Sequence, residues 1–168
     1  METAVAVAIF CSIFSAPDFY LSNARKKTAC KSLELVYKES KKADLSPTLI
    51  MSMIFVESGW RKQAVSPKNA CGLTQVLPRY TGRITKKYSC NQLKNPRISI
   101  MVGTKTLKWW IDYHRGDIQR GLCSYNAGFR CGRPDNPKIK PNKFGMRYAR
   151  KVLKIQRKIE LRASRIIE

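Results

Sequence analysis

The chain has 168 residues, and 33 Lys plus Arg against 11 Asp plus Glu give it a formal charge of +22 at neutral pH. With 43% hydrophobic and 10% aromatic residues it has enough apolar material for one packed core, which excludes a disordered chain. So basic a balance calls for a polyanionic partner, whether nucleic acid, an anionic membrane face or an acidic polymer such as a cell wall, and composition does not choose among them.

The first element is an apolar run over residues 4–14, free of charge and breakers until Ser15, Ala16, Pro17 and Asp18. It falls short of the roughly 20 residues that cross a bilayer but suits the apolar core of a secretory leader. Ser22, Asn23 and Ala24 supply a small-x-small site ahead of Arg25, Lys26 and Lys27. The positive stretch expected before such a core is missing, since Glu2 is the only early charge. The expectation is a leader over residues 1–24 and a domain over residues 25–168. The alternative is that the run is a buried first helix or strand of the domain.

Helical signals then follow in order. Leu33, Val36 and Tyr37 are at helical spacing within residues 30–43. Ser46 as N-cap and Pro47 in the first turn open the next helix, which Gly59 closes. Asn95 and Pro96 repeat the start signal for a helix carrying Ile98, Met101, Val102, Lys105, Trp109 and Tyr113, ending near Gly116, and Asp117 can cap the short helix after it. From Lys143, the residues Phe144, Tyr148, Val152, Ile155 and Ile159 line one face of a final helix. No run alternates long enough for a strand, so the fold expected is a single, mainly α domain. Residues 59–78 and 128–142 concentrate Gly, Pro, Asn and Ser, and such loops on a rigid frame are where sites usually lie.

Six cysteines stand at positions 11, 30, 71, 90, 123 and 131 without a C-x-x-C pair, and with His114 as the one histidine a structural zinc site lacks ligands. No metal or cofactor is expected. Export would allow disulfides, with Cys123 and Cys131 the first candidate pair and Cys71 with Cys90 the second. Loss of the leader would leave an odd number; the other reading is that all are reduced core residues.

One carboxylate stands apart. In the helix opened by Ser46, Glu57 follows Ile50, Met53 and Ile54 by seven, four and three residues, which puts it on the apolar stripe. It is also in the last turn, where the helix dipole disfavours negative charge. Desolvation and dipole both favour the protonated form, so a raised pKa is expected, as general-acid cleavage of a glycosidic bond requires. The competing reading turns Glu57 out to solvent at a frayed end.

The surrounding residues carry a resemblance. Glu57, Ser58, Gly59 and Trp60, then Ala64, Val65, Ser66 and Pro67, then Gly72, Leu73, Thr74 and Gln75, and finally Tyr125, Asn126, Ala127 and Gly128 resemble the ordered motifs of the lytic transglycosylase domain, over roughly residues 45–159. Residues 95–103 are similar to the family's middle portion, and small phage-encoded or secretion-system-associated members are nearest in size. The resemblance implies the lysozyme-like α+β superfamily fold, in a mainly α form with a substrate cleft. It implies peptidoglycan glycan strands as substrate, cut between N-acetylmuramic acid and N-acetylglucosamine with a 1,6-anhydro product. Glu57 would be the catalytic acid and base. Ser58, Gly72, Leu73, Gln75, Tyr125, Asn126 and Tyr148 would bind substrate or shape the cleft. Thr74 departs from the Met often found there, which puts fine substrate preference in doubt.

Scarcity of acids agrees with one-carboxylate chemistry. Ordinary glycosidases place two carboxyl groups about 5–5.5 Å apart for retention or about 6.5–9.5 Å for inversion. After Glu57 there remain Asp112, Asp117, Asp135, Glu160 and Glu168, of which Asp112 is the least easily set aside. A goose-type muramidase hydrolysing the same bond stays open as an alternative. So do two other classes, an inactive wall-binding module and a nucleic-acid binder that stacks bases on Trp109 and Trp110. Neither explains the motif set, so no specific nucleic acid is expected. The expected enzyme is a monomer held on an anionic cell envelope by its charge, either exported to the periplasm or phage-encoded and acting on the host wall.

Overall fold

The computed structural model describes residues 3–136 and 139–167. Glu2 and Glu168, which figure in the sequence reading, lie outside the described residues, as do positions 137 and 138 of the loop over residues 128–142. Within them run α1 (Thr3–Ser15), α2 (Asn23–Ala43), α3 (Pro47–Ser58), α4 (Pro78–Thr81), α5 (Cys90–Leu93), α6 (Pro96–Tyr113), α7 (Ile118–Ala127) and α8 (Lys143–Ile167). Two 3-10 turns, Pro17–Phe19 and Gly128–Cys131, complete the order. Among the described residues, β structure is limited to isolated bridges, which pair Cys71 with Val65 and Val76, and Arg133 with Asn136.

The helix α3 is the hub. Leu49, Ile50, Met51, Met53 and Ile54 are all buried, so it is covered on every side rather than along one stripe. α2 and α8 pack on it, α6 packs on α2, and α7 lies against both α6 and α8. The predicted starts hold. Pro47 is in the first turn of α3. Asn95 accepts from Arg97 N–H at 2.9 Å, and Asp117 from Arg120 N–H at 2.9 Å. Two boundaries differ from the sequence reading. α2 begins at Asn23 rather than near Cys30, and α6 stops at Tyr113, short of Gly116, because Arg115 and Gly116 both take positive φ. Phe144, expected on the inward face of α8, is 70% exposed, since the first turn directs its neighbour Gly145 inward instead, against Cys123, Cys131 and Ala127.

Three disulfides form, Cys71–Cys90, Cys123–Cys131 and Cys11–Cys30. The first two are the pairs expected. The third ties the apolar run to α2. That run is α1, and its Ala6, Phe10, Ile13 and Phe14 are buried in the main core. No described helix is long and apolar enough to cross a membrane.

Candidate active site

Glu57 occupies the last turn of α3. Gly59 ends the helix in the left-handed region, its N–H reaching Phe55 O at 3.0 Å, and the chain turns through Trp60, also at positive φ and fully buried. The following loop folds back under the helix end. Gly72 N–H donates to Ala64 O at 2.9 Å and Cys71 N–H to Val76 O at 3.0 Å, while the Cys71–Cys90 bond ties the loop to α5. At Gly72, φ is +77° and a Cβ would come within 1.9 Å of Leu93 O, so glycine is required by the fold itself. Leu73 is fully buried in the main core.

Thr74 is also fully buried. Its Oγ1 donates to Ser99 O at 2.9 Å, and its carbonyl accepts from the Tyr125 hydroxyl at 2.7 Å. The side chain that departs from the family pattern thus fills the contact with α6 rather than touching the cleft. Gln75, at φ 51°, donates its amide to Ala64 O (3.2 Å) and Gly72 O (2.8 Å), leaving its side-chain oxygen as the atom to offer a ligand. Ser58 is buried, and its Oγ bonds back to Ile54 O at 3.2 Å within the helix.

Gln75, Tyr125 and Asn126 line one cavity of about 540 Å³. Its wall continues through Trp109, Trp110 and Phe129, which pack edge to face at 4.6–6.4 Å between ring centres. Lys68, Arg79, Arg83 and Arg130 also border it. Arg79 and Arg83 flank Tyr80, 4.9 and 5.2 Å from its ring centre. These aromatic and cationic residues were not among the sequence-derived site residues; the adjacent tryptophans were the one available signal. Ser58, Gly72 and Leu73 do not border the cavity, and neither do Glu57 and Tyr148; Tyr125, on its wall, is the residue that feels the charge of Glu57.

Electrostatics links Glu57 to two tyrosines beside it. Glu57 is half-buried, and loss of hydration raises its pKa to about 7. The Tyr148 hydroxyl, buried without a partner at full hydrogen-bond geometry, still favours the ionised carboxylate and holds the rise back. Tyr125 and Tyr148 are pushed well above the ordinary phenol range, first by burial and then by the charge of Glu57. Both remain neutral donors. The expected rise at Glu57 is therefore present, with desolvation its largest cause.

The other acids are occupied elsewhere. Asp112 is exposed on α6 and paired with Lys108 at 2.5 Å, and Asp117 caps α7. Glu160 accepts from Thr48 Oγ1 (2.6 Å) and Gln156 Nε2 (2.9 Å), while Asp135 is exposed. Among the described residues no Asp or Glu lines the cavity itself, and Glu57 is the carboxylate that acts on Tyr125 in its wall. Among them, too, no three His, Cys, Asp or Glu converge as a metal site. His114 is buried instead, its Nε2 2.7 Å from Ser124 Oγ.

Residues 34–142 match the sequence profile of the Transglycosylase SLT domain. The chain is 36% identical over 88 residues to the endo-type membrane-bound lytic murein transglycosylase A of Enterobacter sp., covering 48% of this chain and 43% of that one. It is 30% identical over 130 residues to the membrane-bound lytic murein transglycosylase C of Yersinia enterocolitica, covering 69% of this chain and 36% of that one. The chain spans less than half the length of these relatives. In three dimensions it is similar to an inactive variant of the lytic transglycosylase Slt from Pseudomonas aeruginosa, with TM-score 0.65 and 22% identity over 77% of this chain and 24% of that one. The fold is lysozyme-like, with β structure limited to isolated bridges among the described residues. With the profile covering well over half of its residues, the chain belongs to the transglycosylase SLT domain family.

Proposed function

We propose that the protein is a peptidoglycan lytic transglycosylase. The observation that carries this reading is Glu57, a half-buried carboxylate with a pKa near 7 set beside Tyr125 and Tyr148, with no other carboxylate among the groups that shift it. Protonated Glu57 donates to the oxygen joining N-acetylmuramic acid to N-acetylglucosamine, and the C1–O bond breaks. The resulting carboxylate takes the proton of the muramoyl 6-hydroxyl as that oxygen bonds to C1. Glu57 returns to its protonated state, and the product is a 1,6-anhydro sugar. No activated water takes part, so no second base is needed.

In this reading Tyr148, held neutral, stabilises the transient Glu57 carboxylate by donation, while Tyr125, its hydroxyl given to Thr74 O, packs beside it. Gln75 and Asn126 hold polar groups of the sugar, and Gly72, Leu73 and Ser58 keep the loop and helix end in register. Trp109 and Phe129 give the glycan an apolar wall. The sugar backbone is neutral, so the cations bordering the cavity are fitted to the carboxylates of the stem peptides. The basic outer side of α8 adheres to the anionic envelope, and the three disulfides favour work outside the reducing cytoplasm, in the periplasm or on the wall of a phage host. A single copy contains every residue the reaction needs.

The test is digestion of purified peptidoglycan with product analysis by mass spectrometry. Anhydro-muropeptides are expected. Products heavier by one water would make the enzyme a muramidase of the goose type, and no release would make it a wall-binding module.

A further inference from the structure

The segment expected from sequence to be a removable leader holds both flanks of the catalytic helix end. Phe14, with no exposed surface, meets Trp60 edge to face at 5.2 Å and Phe19 at 5.3 Å. Phe19 in turn meets Phe55 edge to face at 5.4 Å. Phe55 stands two residues before Glu57 and Trp60 three after it, so aromatic rings from residues 3–24 grip the backbone on either side of the acid. The grip is tied down twice. Cys11–Cys30 joins α1 to α2, and Asp18 accepts from Lys158 (2.7 Å) and Arg162 (2.8 Å) of α8. Lys158 also sits 4.6 Å above the ring of Phe19.

Removing residues 1–24 would therefore do more than shorten the chain. Trp60 would be uncovered, Cys30 would lose its partner, and Leu21, buried like Phe14, would go. The bond between Ala24 and Arg25 lies in the first turn of α2 and is helical in the folded protein. The family profile begins at residue 34, so the clamp lies outside the residues it matches.

We propose that residues 3–24 are retained in the working enzyme as an aromatic clamp, with Phe14 and Phe19 as positioning residues that fix the helix end carrying Glu57. The proposal rests on Glu57 being the catalytic acid. The clamp acts through Phe55 and Trp60 and touches no substrate. Its loss lets the end of α3 fray, water reach the carboxyl, and the acid depart from its aim at the glycosidic oxygen.

The experiment has two arms, both on the full chain. Protein recovered from the cell envelope is mapped without reduction by mass spectrometry. A peptide containing Cys11 linked to one containing Cys30 is expected, and fully active protein starting at or near Arg25 overturns the retention. In the second arm, Phe14→Leu and Phe14→Ala are compared with the parent after melting curves confirm folding. The expected result is kcat reduced about tenfold or more in Phe14→Ala, KM within about twofold, partial rescue in Phe14→Leu, and the alkaline limb of the kcat profile moved to lower pH. Folded variants with parental kcat and an unmoved limb overturn the positioning role. An inactive parent chain would instead defeat the transglycosylase reading, so the two failures are distinct.

Discussion

Replacing Glu57 by Gln should abolish turnover and at the same time make the protein more stable in alkali. The carboxyl has a folded pKa of about 7 against an ordinary 4.5. Below pH 4.5 it is protonated in both folded and unfolded chains and contributes nothing. As pH rises towards 7 the unfolded chain has released its proton while the folded one holds it, so stability falls through that window. At about 1.36 kcal/mol per tenfold change in proton affinity, the full effect at pH 8 is about 3 kcal/mol. Glutamine is neutral at every pH and close to the protonated acid in shape. The Gln variant should therefore match the parent near pH 4 and exceed it by up to about 3 kcal/mol at pH 8, roughly 6–12 °C in Tm for a chain of this size. Urea titrations at pH 4, 6 and 8 with disulfides intact measure this. A stability difference that stays flat across pH, or a Gln variant weaker at pH 8, would refute the argument that burial raises the pKa.

Other outcomes follow from neighbouring residues. Tyr148→Phe removes the hydroxyl that favours the ionised carboxylate, so the alkaline limb of kcat/KM should move to higher pH; a limb that stays or moves down shows that the hydroxyl does not act on Glu57. Gly72→Ala places a methyl 1.9 Å from Leu93 O at a positive φ, and calorimetry should show a loss of at least about 2 kcal/mol, whereas an unchanged Tm means the loop is not held as described. Arg79→Ala combined with Arg83→Ala should slow digestion of peptide-bearing walls severalfold while leaving peptide-free glycan unaffected. Equal loss on both substrates would assign these arginines to the aromatic wall instead.

Legibility in the sequence varied with the kind of physics involved. Pro47, Asn95 with Pro96, and Asp117 announce helix starts because capping and proline geometry are local, and each stands where expected. Glu57 was found through its motif. The stripe argument is incomplete as a reason, since α3 is buried on all sides and an inward face alone does not set Glu57 apart from its neighbours. The cavity wall was not legible. Lys68, Arg79, Trp109 and Phe129 come together from separate parts of the chain, and nothing in their local spacing encodes that meeting. Cys11–Cys30 was hidden for another reason, because an apolar run of this length reads equally as leader and as core, and only the partners Tyr37, Phe19 and Trp60 distinguish the two.

The excess of positive charge and the raised pKa of Glu57 pull in opposite directions, and their ranges decide which prevails. A field of cations favours an ionised carboxylate and would lower its pKa. Yet the groups that shift Glu57 are its own buried surroundings and Tyr148, with no lysine or arginine among them. Surface cations beyond about 8 Å are largely screened at physiological ionic strength, whereas desolvation acts at contact and is not screened. The charge can therefore serve adhesion without disturbing the acid. Salt then separates the two functions. Raising ionic strength should weaken sedimentation with isolated walls and raise KM, while the alkaline limb of kcat stays near pH 7. Were that limb to move upward with added salt, surface cations would be holding the carboxyl down, and the division between adhesion and proton chemistry would fail.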